Sequence, residues 1–348
     1  MNDEGASTFP TLARIAKEMY VQSPTKCIVG VHNLALPERL ERIYLRPDDW
    51  IMAAGKQLGH FVYNAFYLGR ASNRAGSEQS GIEPVPDHEQ GGFGVLLRQA
   101  NAGSGWLSDG WEIVRKTGSK AEIRNGKLLL VAEANDLISA GNNRVAVRFP
   151  KHLPYRSPGY YMAVSNAGLP DTGALMRIYI NVKAVAAPVL LKRVTSFVCE
   201  HSIAAIIKVL NHPKSFDRPD AMVIYIGREG GSQILGFIGS ILNDIASYIS
   251  ERVPGFAKRW KPGVGLAEEP VAAGRSAASF GEHRSALIGK ALAQAYVKHN
   301  SGDDACYEEL RLSRILSVLR GEKLDPERLY LNPGSEEFDF QYAEHSNN

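Results

Sequence analysis

The hydrophobic period of this chain changes along its length, and that change limits the folds open to it. From Thr8 to about Leu68 apolar residues recur every three or four positions, in PTLARIAKEMYVQS and again in DDWIMAAGKQLGHFVYNAFYLGR. That spacing predicts amphipathic helices, the second capped by Asp48 or Asp49 and ended at Gly69. After a short helical FGVLLRQANAG the period falls to two. WEIVRKT, KAEIRN, KLLLVA and RVAVRFP read as strands, with a hairpin turn at Asn125-Gly126. LMRIYINV, IIKVLN and AMVIYIG read as further strands, set between helices over APVLLKRVTSFVCEHSI and from Ser232 to about Arg252. A Gly/Pro-rich loop from Pro262 to Gly281 precedes two last helices, HRSALIGKALAQAYVKHN and DACYEELRLSRILSVLRG.

Strands that meander early and alternate with helices late predict an α+β protein. The expected architecture is a mixed, largely antiparallel central sheet flanked by helices, with an N-terminal helical extension. ASNRAGSEQSGIEPVPDHEQGG, rich in Gly, Ser, Pro and acids, reads as a linker. The organisation expected is a helical region over 1–75, a linker and short helix over 76–105, and an α+β domain over 106–348.

Composition removes several function classes. Forty basic against thirty-seven acidic residues leave a charge of +3, too balanced to imply nucleic acid. Cys27, Cys199 and Cys306 are isolated, which fits a reducing compartment and no zinc or disulfide framework. The first twenty residues hold acids and no apolar secretory core, and no apolar run approaches the ~20 residues of a membrane helix. A cytoplasmic protein without a membrane partner is expected. HExxH, GxSxG and the phosphate-loop pattern are absent, and GREGG at 227–231 fits a plain strand-to-helix turn better than a nucleotide fingerprint. The nine histidines show no metal-ligand spacing, so neither metal nor cofactor is expected.

What remains is a set of cations at element boundaries. Arg177 lies in RIYIN, Lys208 in IKVLN, Arg218 just before AMVIYIG, and Arg284 at the start of a helix. Strand-end charges are ordinarily solvated. Four of them in one α+β region can also converge, and guanidinium forks suit a phosphate. Both readings stand on the residues alone. Lys208 also reads as a snorkelling lysine, Tyr179 as a core tyrosine, and Arg218 as the ion-pair partner of Asp217 or Asp220.

Several separate motifs, in order, carry a resemblance. LPYRSPGYYMAVSNAG, RIYINV, KVLNHPKSFDRPDAMVIYI, KPGVGLAEEP, SFGEHR and RLYLNPG resemble the HopA-type type III effector family from about Trp106 to Gly334. YNAFYLG resembles its N-terminal region more distantly. Bacterial members of this family act in making class V lanthipeptides and thioamide-containing peptides. They are similar to phosphothreonine lyases, which eliminate phosphate from phosphoserine or phosphothreonine to leave dehydroalanine or dehydrobutyrine. The resemblance therefore implies a phosphorylated ribosomal precursor peptide as substrate. It also implies a separate Ser/Thr kinase, with a cyclase as a further partner, since this chain carries no kinase signature.

The lyase pattern implies roles for single residues. Lys208 matches the catalytic base, Tyr179 stands where those lyases carry a histidine acid, and Arg177, Arg218, Arg284 and Tyr225 match the phosphate-binding set. The Tyr179 substitution leaves His283 and His212 as alternative acids. Lys258 is a further candidate contact and Glu268 a candidate for orienting an arginine. Removal of a Cα proton needs a neutral base, and adjacent guanidinium groups lower a lysine's pKa from its usual ~10.4 while stabilising the departing phosphate. The family also includes effectors, so a non-catalytic effector or adaptor that binds a partner protein is the alternative. Tyr63, Phe66 and Tyr67, at helical spacing, are expected to pack the N-terminal region, or to form a groove that accepts a leader peptide or docks the kinase, apart from the chemistry.

Overall fold

Pro10 opens the first helix, at a position where a missing N–H is harmless. In the computed structural model, which describes residues 7–70, 92–141, 143–154, 156–171, 173, 175–271, 278–302 and 305–338, this helix is α1 (Phe9–Glu18). The helical reading then fails for a stretch. β1 (Met19–Ser23), β2 (Lys26–Val29) and β3 (His32–Ala35) form a three-stranded antiparallel sheet. Met19 satisfies both the four-residue spacing from Ile15 and the alternation with Val21, all three buried, so periodicity alone did not separate helix from strand here.

The chain continues through α2 (Arg39–Ile43) and α3 (Pro47–Val62), which runs into a π-helical turn at Tyr63–Tyr67. That turn is closed by Leu68 N–H donating to the Tyr63 carbonyl at 2.9 Å. The predicted linker falls almost wholly on residues 71–91, outside the described residues. Then come α4 (Phe93–Ala100) and the predicted run of strands: β4 (Trp106–Thr117), β5 (Lys120–Asn125), β6 (Leu128–Glu133), β7 (Leu137–Gly141) and β8 (Arg144–Phe149). They form a five-stranded antiparallel sheet in the order β6-β5-β4-β8-β7, around a small core of Trp111, Ala121, Ile123, Val145 and Val147.

The second half builds the central sheet. Its elements are β9 (Tyr160–Val164), β10 (Leu175–Ile180), α5 (Ala187–Glu200), β11 (Ala205–Leu210), β12 (Met222–Gly227), α6 (Gly231–Leu242), β13 (Lys258–Lys261), β14 (Val264–Glu268), α7 (Phe280–Asn300) and α8 (Tyr307–Gly321). The strand order is β13-β14-β10-β12-β11-β9 and every pairing is antiparallel. The α+β class is as the sequence predicts. Two local readings are corrected: β14 lies inside the stretch read as a loop, and α6 ends at Leu242 in a 3₁₀ segment, Asn243–Tyr248, short of Arg252. No described helix is long and apolar enough to cross a membrane.

The helices α3 and α7 pack against each other through small residues. A Cβ at Gly289 would stand 2.2 Å from Gly59 N and 2.4 Å from the Gly55 carbonyl oxygen, so only glycine permits this approach. Gly59 lies against Ala286, Gly55 against Lys290, and Tyr67 against Gly281. The two helices therefore run antiparallel. Trp50, Leu58 and Phe61 of α3 are fully buried in the same core as Ile178 and Ile224 of the sheet.

Candidate functional site

Strand alternation decides which side chains meet. Arg177 of β10 stands opposite Tyr225 of β12, and Tyr225 opposite Ile206 of β11. One pleat along, Tyr179, Val223, Lys208 and Met162 form the next row. Residues directly opposite share a face. With Tyr160 these rows floor a cleft of about 1480 Å³ whose far wall is α3, the π turn and α7. The intervening residues, among them Ile178, Ile224 and Ile207, join Leu190 and Val194 of α5 in the apolar core.

Both arginines on the floor are buried, and each is held by a carboxylate. Arg177 donates from Nε to the Glu269 carboxylate and from Nη1 to the Tyr179 hydroxyl at 3.4 Å. Its guanidinium lies 4.9 Å from the Tyr225 ring centroid. Arg218 donates from Nε and Nη2 to Asp220, and from Nη2 also to the Tyr63 hydroxyl at 3.2 Å. These bonds leave Arg177 Nη2 and Arg218 Nη1 without a hydrogen-bond partner among the described residues. The tyrosines and the carboxylates outweigh burial and hold both guanidinium groups firmly charged.

Lys208 is different. It is half-buried, its ammonium lies 5.4 Å from the Tyr225 ring and 5.8 Å from the Tyr160 ring, and it forms no ion pair among the described residues. Burial, then the positive charge of Arg177, push its pKa below the ordinary 10.5, against a smaller upward pull from Glu269 and Glu282. Tyr179 is fully buried and accepts a hydrogen bond from Arg177. Burial raises its pKa while Arg177 opposes the rise, so the phenol keeps its proton at neutral pH. A lysine whose pKa is lowered thus shares a cleft with two charged forks and a protonated phenol.

Of the residues singled out by sequence, Arg177, Tyr179, Lys208, Arg218 and Tyr225 all line this cleft. Arg284, His283, His212, Lys258 and Glu268 lie outside its lining. Arg284, expected on the phosphate, is buried in α7 and donates to the carbonyls of Leu329 and Leu331, both at 2.9 Å, and to Asn332 Oδ1. It fastens the C-terminal segment, and burial lowers its pKa to about 10. His283 is bonded to Arg284 Nη1 at 2.8 Å, while His212 accepts from the Lys214 N–H at 3.2 Å at a 3₁₀ turn. Lys258 pairs with Glu337 at 2.9 Å. Glu268 pairs with Arg228 instead of a cleft arginine, because alternation turns its neighbour Glu269 toward Arg177.

Sequence reasoning missed Glu269, Tyr160, His60 and Arg156 as lining residues, and it set Tyr63 and Tyr67 apart from the chemistry. That separation is corrected: both tyrosines line the cleft and Tyr63 touches Arg218. Tyr160 and Glu269 had a usable signal, since each falls in alternation with a floor residue. His60, Tyr63 and Tyr67 depend on how α3 and its π turn pack, and Arg156 lies in the loop before β9, which no local pattern reveals.

The fold and cleft thus define an α+β protein with a cationic, tyrosine-lined site on one sheet face. Residues 153–331, more than half of the chain, match the HopA1 effector protein family, and the chain belongs to that family. The match includes Arg177, Tyr179, Lys208, Arg218 and Tyr225 and leaves α3 outside. Two solved structures are similar. The effector protein from Pseudomonas syringae pv. tomato strain DC3000 is 16% identical, covers 84% of this chain and 97% of its own, and has a TM-score of 0.44. That from Pseudomonas syringae pv. syringae strain 61 is 14% identical, covers 94% and 98%, and has a TM-score of 0.42. No curated protein matches the chain.

Proposed function

We propose that this protein is a phosphoserine/phosphothreonine lyase that acts on a ribosomally made precursor peptide phosphorylated by a separate kinase. The observation that carries this reading is the arrangement around Lys208: a lysine without an ion pair among the described residues, its pKa lowered, in one cleft with two buried arginines that each keep one terminal nitrogen without a hydrogen-bond partner among those residues. In the reaction Lys208 takes the Cα proton, and the electrons of that C–H bond form the Cα=Cβ double bond. The Cβ–O bond breaks and its electrons leave with the phosphate, which Arg177 and Arg218 hold. Tyr179, bonded to Arg177, is the proton donor to the departing oxygen. The base ends as an ammonium and the product is a dehydroamino acid plus inorganic phosphate.

A specific observation favours a second reading, a non-catalytic effector that binds a partner protein. Both arginines are already neutralised by Glu269 and Asp220, so a phosphate must share them. One experiment separates the two. Purified protein incubated with a phosphoserine peptide is expected to release phosphate and leave a peptide lighter by phosphoric acid. A product with restored hydroxyl, or no reaction with any phosphopeptide, would falsify the lyase reading. The cytoplasmic location, the kinase and a cyclase partner belong to this proposal.

A further inference from the structure

The cleft extends beyond the sheet along the seam of α3 and α7, and the charges on that wall alternate. Lys56 of α3 and Lys290 of α7 are both exposed and both line the cleft. The contact of Gly55 with the Lys290 backbone, 3.1 Å from a Cβ position to Cα, sets them side by side. Neither forms an ion pair among the described residues, unlike Arg177 and Arg218 on the floor. Two cleft-lining acids bracket them. Glu282 lies toward the sheet, next to the Gly281–Tyr67 contact, and Asp48 lies about two turns outward on α3. Glu282 closes the α7 capping box with Ser279, which fixes its position.

This geometry sets a distance. The Tyr63 hydroxyl meets Arg218 and so marks the inner end of the wall. Lys56 lies about two turns before it, roughly 10 Å at ~1.5 Å per residue. An extended peptide covers that span in about three residues at ~3.3 Å each. We propose that Lys56 and Lys290 form a subsite for an acidic side chain about three residues from the phosphorylated one. The proposal rests on the lyase reading and assigns substrate selection to the α3–α7 wall. An acidic residue nearer the phosphorylated site meets Glu282 and one farther out meets Asp48, so the wall fixes a position as well as a charge.

The test uses full-length protein and phosphoserine peptides that differ at one position. Glu, Ala or Lys is placed three residues before or three residues after the phosphoserine, and kcat/KM is measured for phosphate release. The Glu peptide should exceed the Lys peptide by about fivefold or more on one side, given two exposed pairs of modest strength each. The preference should shrink as salt rises from about 0.02 to 0.5 M. The K56E/K290E double variant should invert the ratio, and K56Q/K290Q should bring it near unity. Because the ratio compares peptides on one protein, a general loss of activity in a variant does not imitate it. Turnover by the wild type with no discrimination on either side, or an unchanged ratio in K56E/K290E, overturns the subsite alone. Failure of the wild type to bind or convert any of the peptides overturns the lyase reading and the subsite with it.

Discussion

The two faces of the six-stranded sheet are made from alternate residues of the same strands, yet they are held together by opposite means. Ile178 and Ile224 face an aliphatic core, where stability follows from apolar area removed from water. Arg177, Tyr179 and Tyr225, their immediate neighbours in sequence, face the cleft, where burial works against the charges. Each buried guanidinium on that face has its own carboxylate, and Lys208 has none among the described residues. The difference explains how one environment yields two kinds of cation. The paired groups stay charged and suit an anion; the unpaired one is pushed toward its neutral form and suits a base.

The sharpest test of that division is Lys208→Ala. Phosphate elimination should fall by ~10²–10⁴-fold, the range usual for a lost general base. Phosphopeptide binding should persist, because Arg177 and Arg218 remain. In the wild type the rate should climb as pH rises and free base accumulates, with a midpoint below the ordinary lysine value of 10.5. A residual rate within about tenfold of wild type would show that the unpaired cation is not the base.

The next test sets the faces against each other in stability. Asp220→Ala leaves Arg218 buried without its bidentate partner and should cost about 3–5 kcal/mol in denaturant unfolding. Ile224→Ala, on the opposite face of the adjoining strand, should cost about 2–5 kcal/mol through a cavity. Only the first should also weaken phosphopeptide binding in the folded fraction. A loss below about 1 kcal/mol for Asp220→Ala would mean that cleft water, and not Asp220, solvates Arg218.

The aliphatic face was readable from the chain because apolar alternation in RIYIN, IKVLN and AMVIYIG is local. The same alternation turns Tyr179 away from Ile178 and Ile180, but that Arg177, Tyr179, Lys208 and Tyr225 share one face depends on how three strands pair. The partners of those residues were not readable. Glu269 lies 92 positions from Arg177, and Glu268 beside it, the candidate for orienting an arginine, is one residue out of phase with the strand. Arg284 matched a motif by type and order, but its fork is engaged by backbone carbonyls that only the folded C-terminal segment delivers. The strands at 19–35 were lost because Met19 fits two periods at once. The α3–α7 seam depends on glycines that oppose one another across more than 200 positions, which a helical pattern does not encode.

That seam carries the smallest of the expected effects. Tyr63 reaches Arg218 from the π turn, so α3 touches the floor as well as forming the wall. Tyr63→Phe removes one hydroxyl acceptor while Asp220 still holds the same Nη2 at 2.6 Å. The ring keeps its stack on Tyr67, 5.0 Å between centroids, so no cavity opens. The stability cost should therefore be about 1 kcal/mol, the net worth of a single hydrogen bond. The kinetic effect should be a fall of about three- to tenfold in kcat/KM, because a guanidinium with one tether fewer holds the phosphate less firmly. Tyr63→Ala should cost more in both, since it also loses the stacked ring. If Tyr63→Phe matched wild type in rate and only Tyr63→Ala lost activity, Tyr63 would act by packing alone, and the floor would be set by the sheet residues without help from the N-terminal helices.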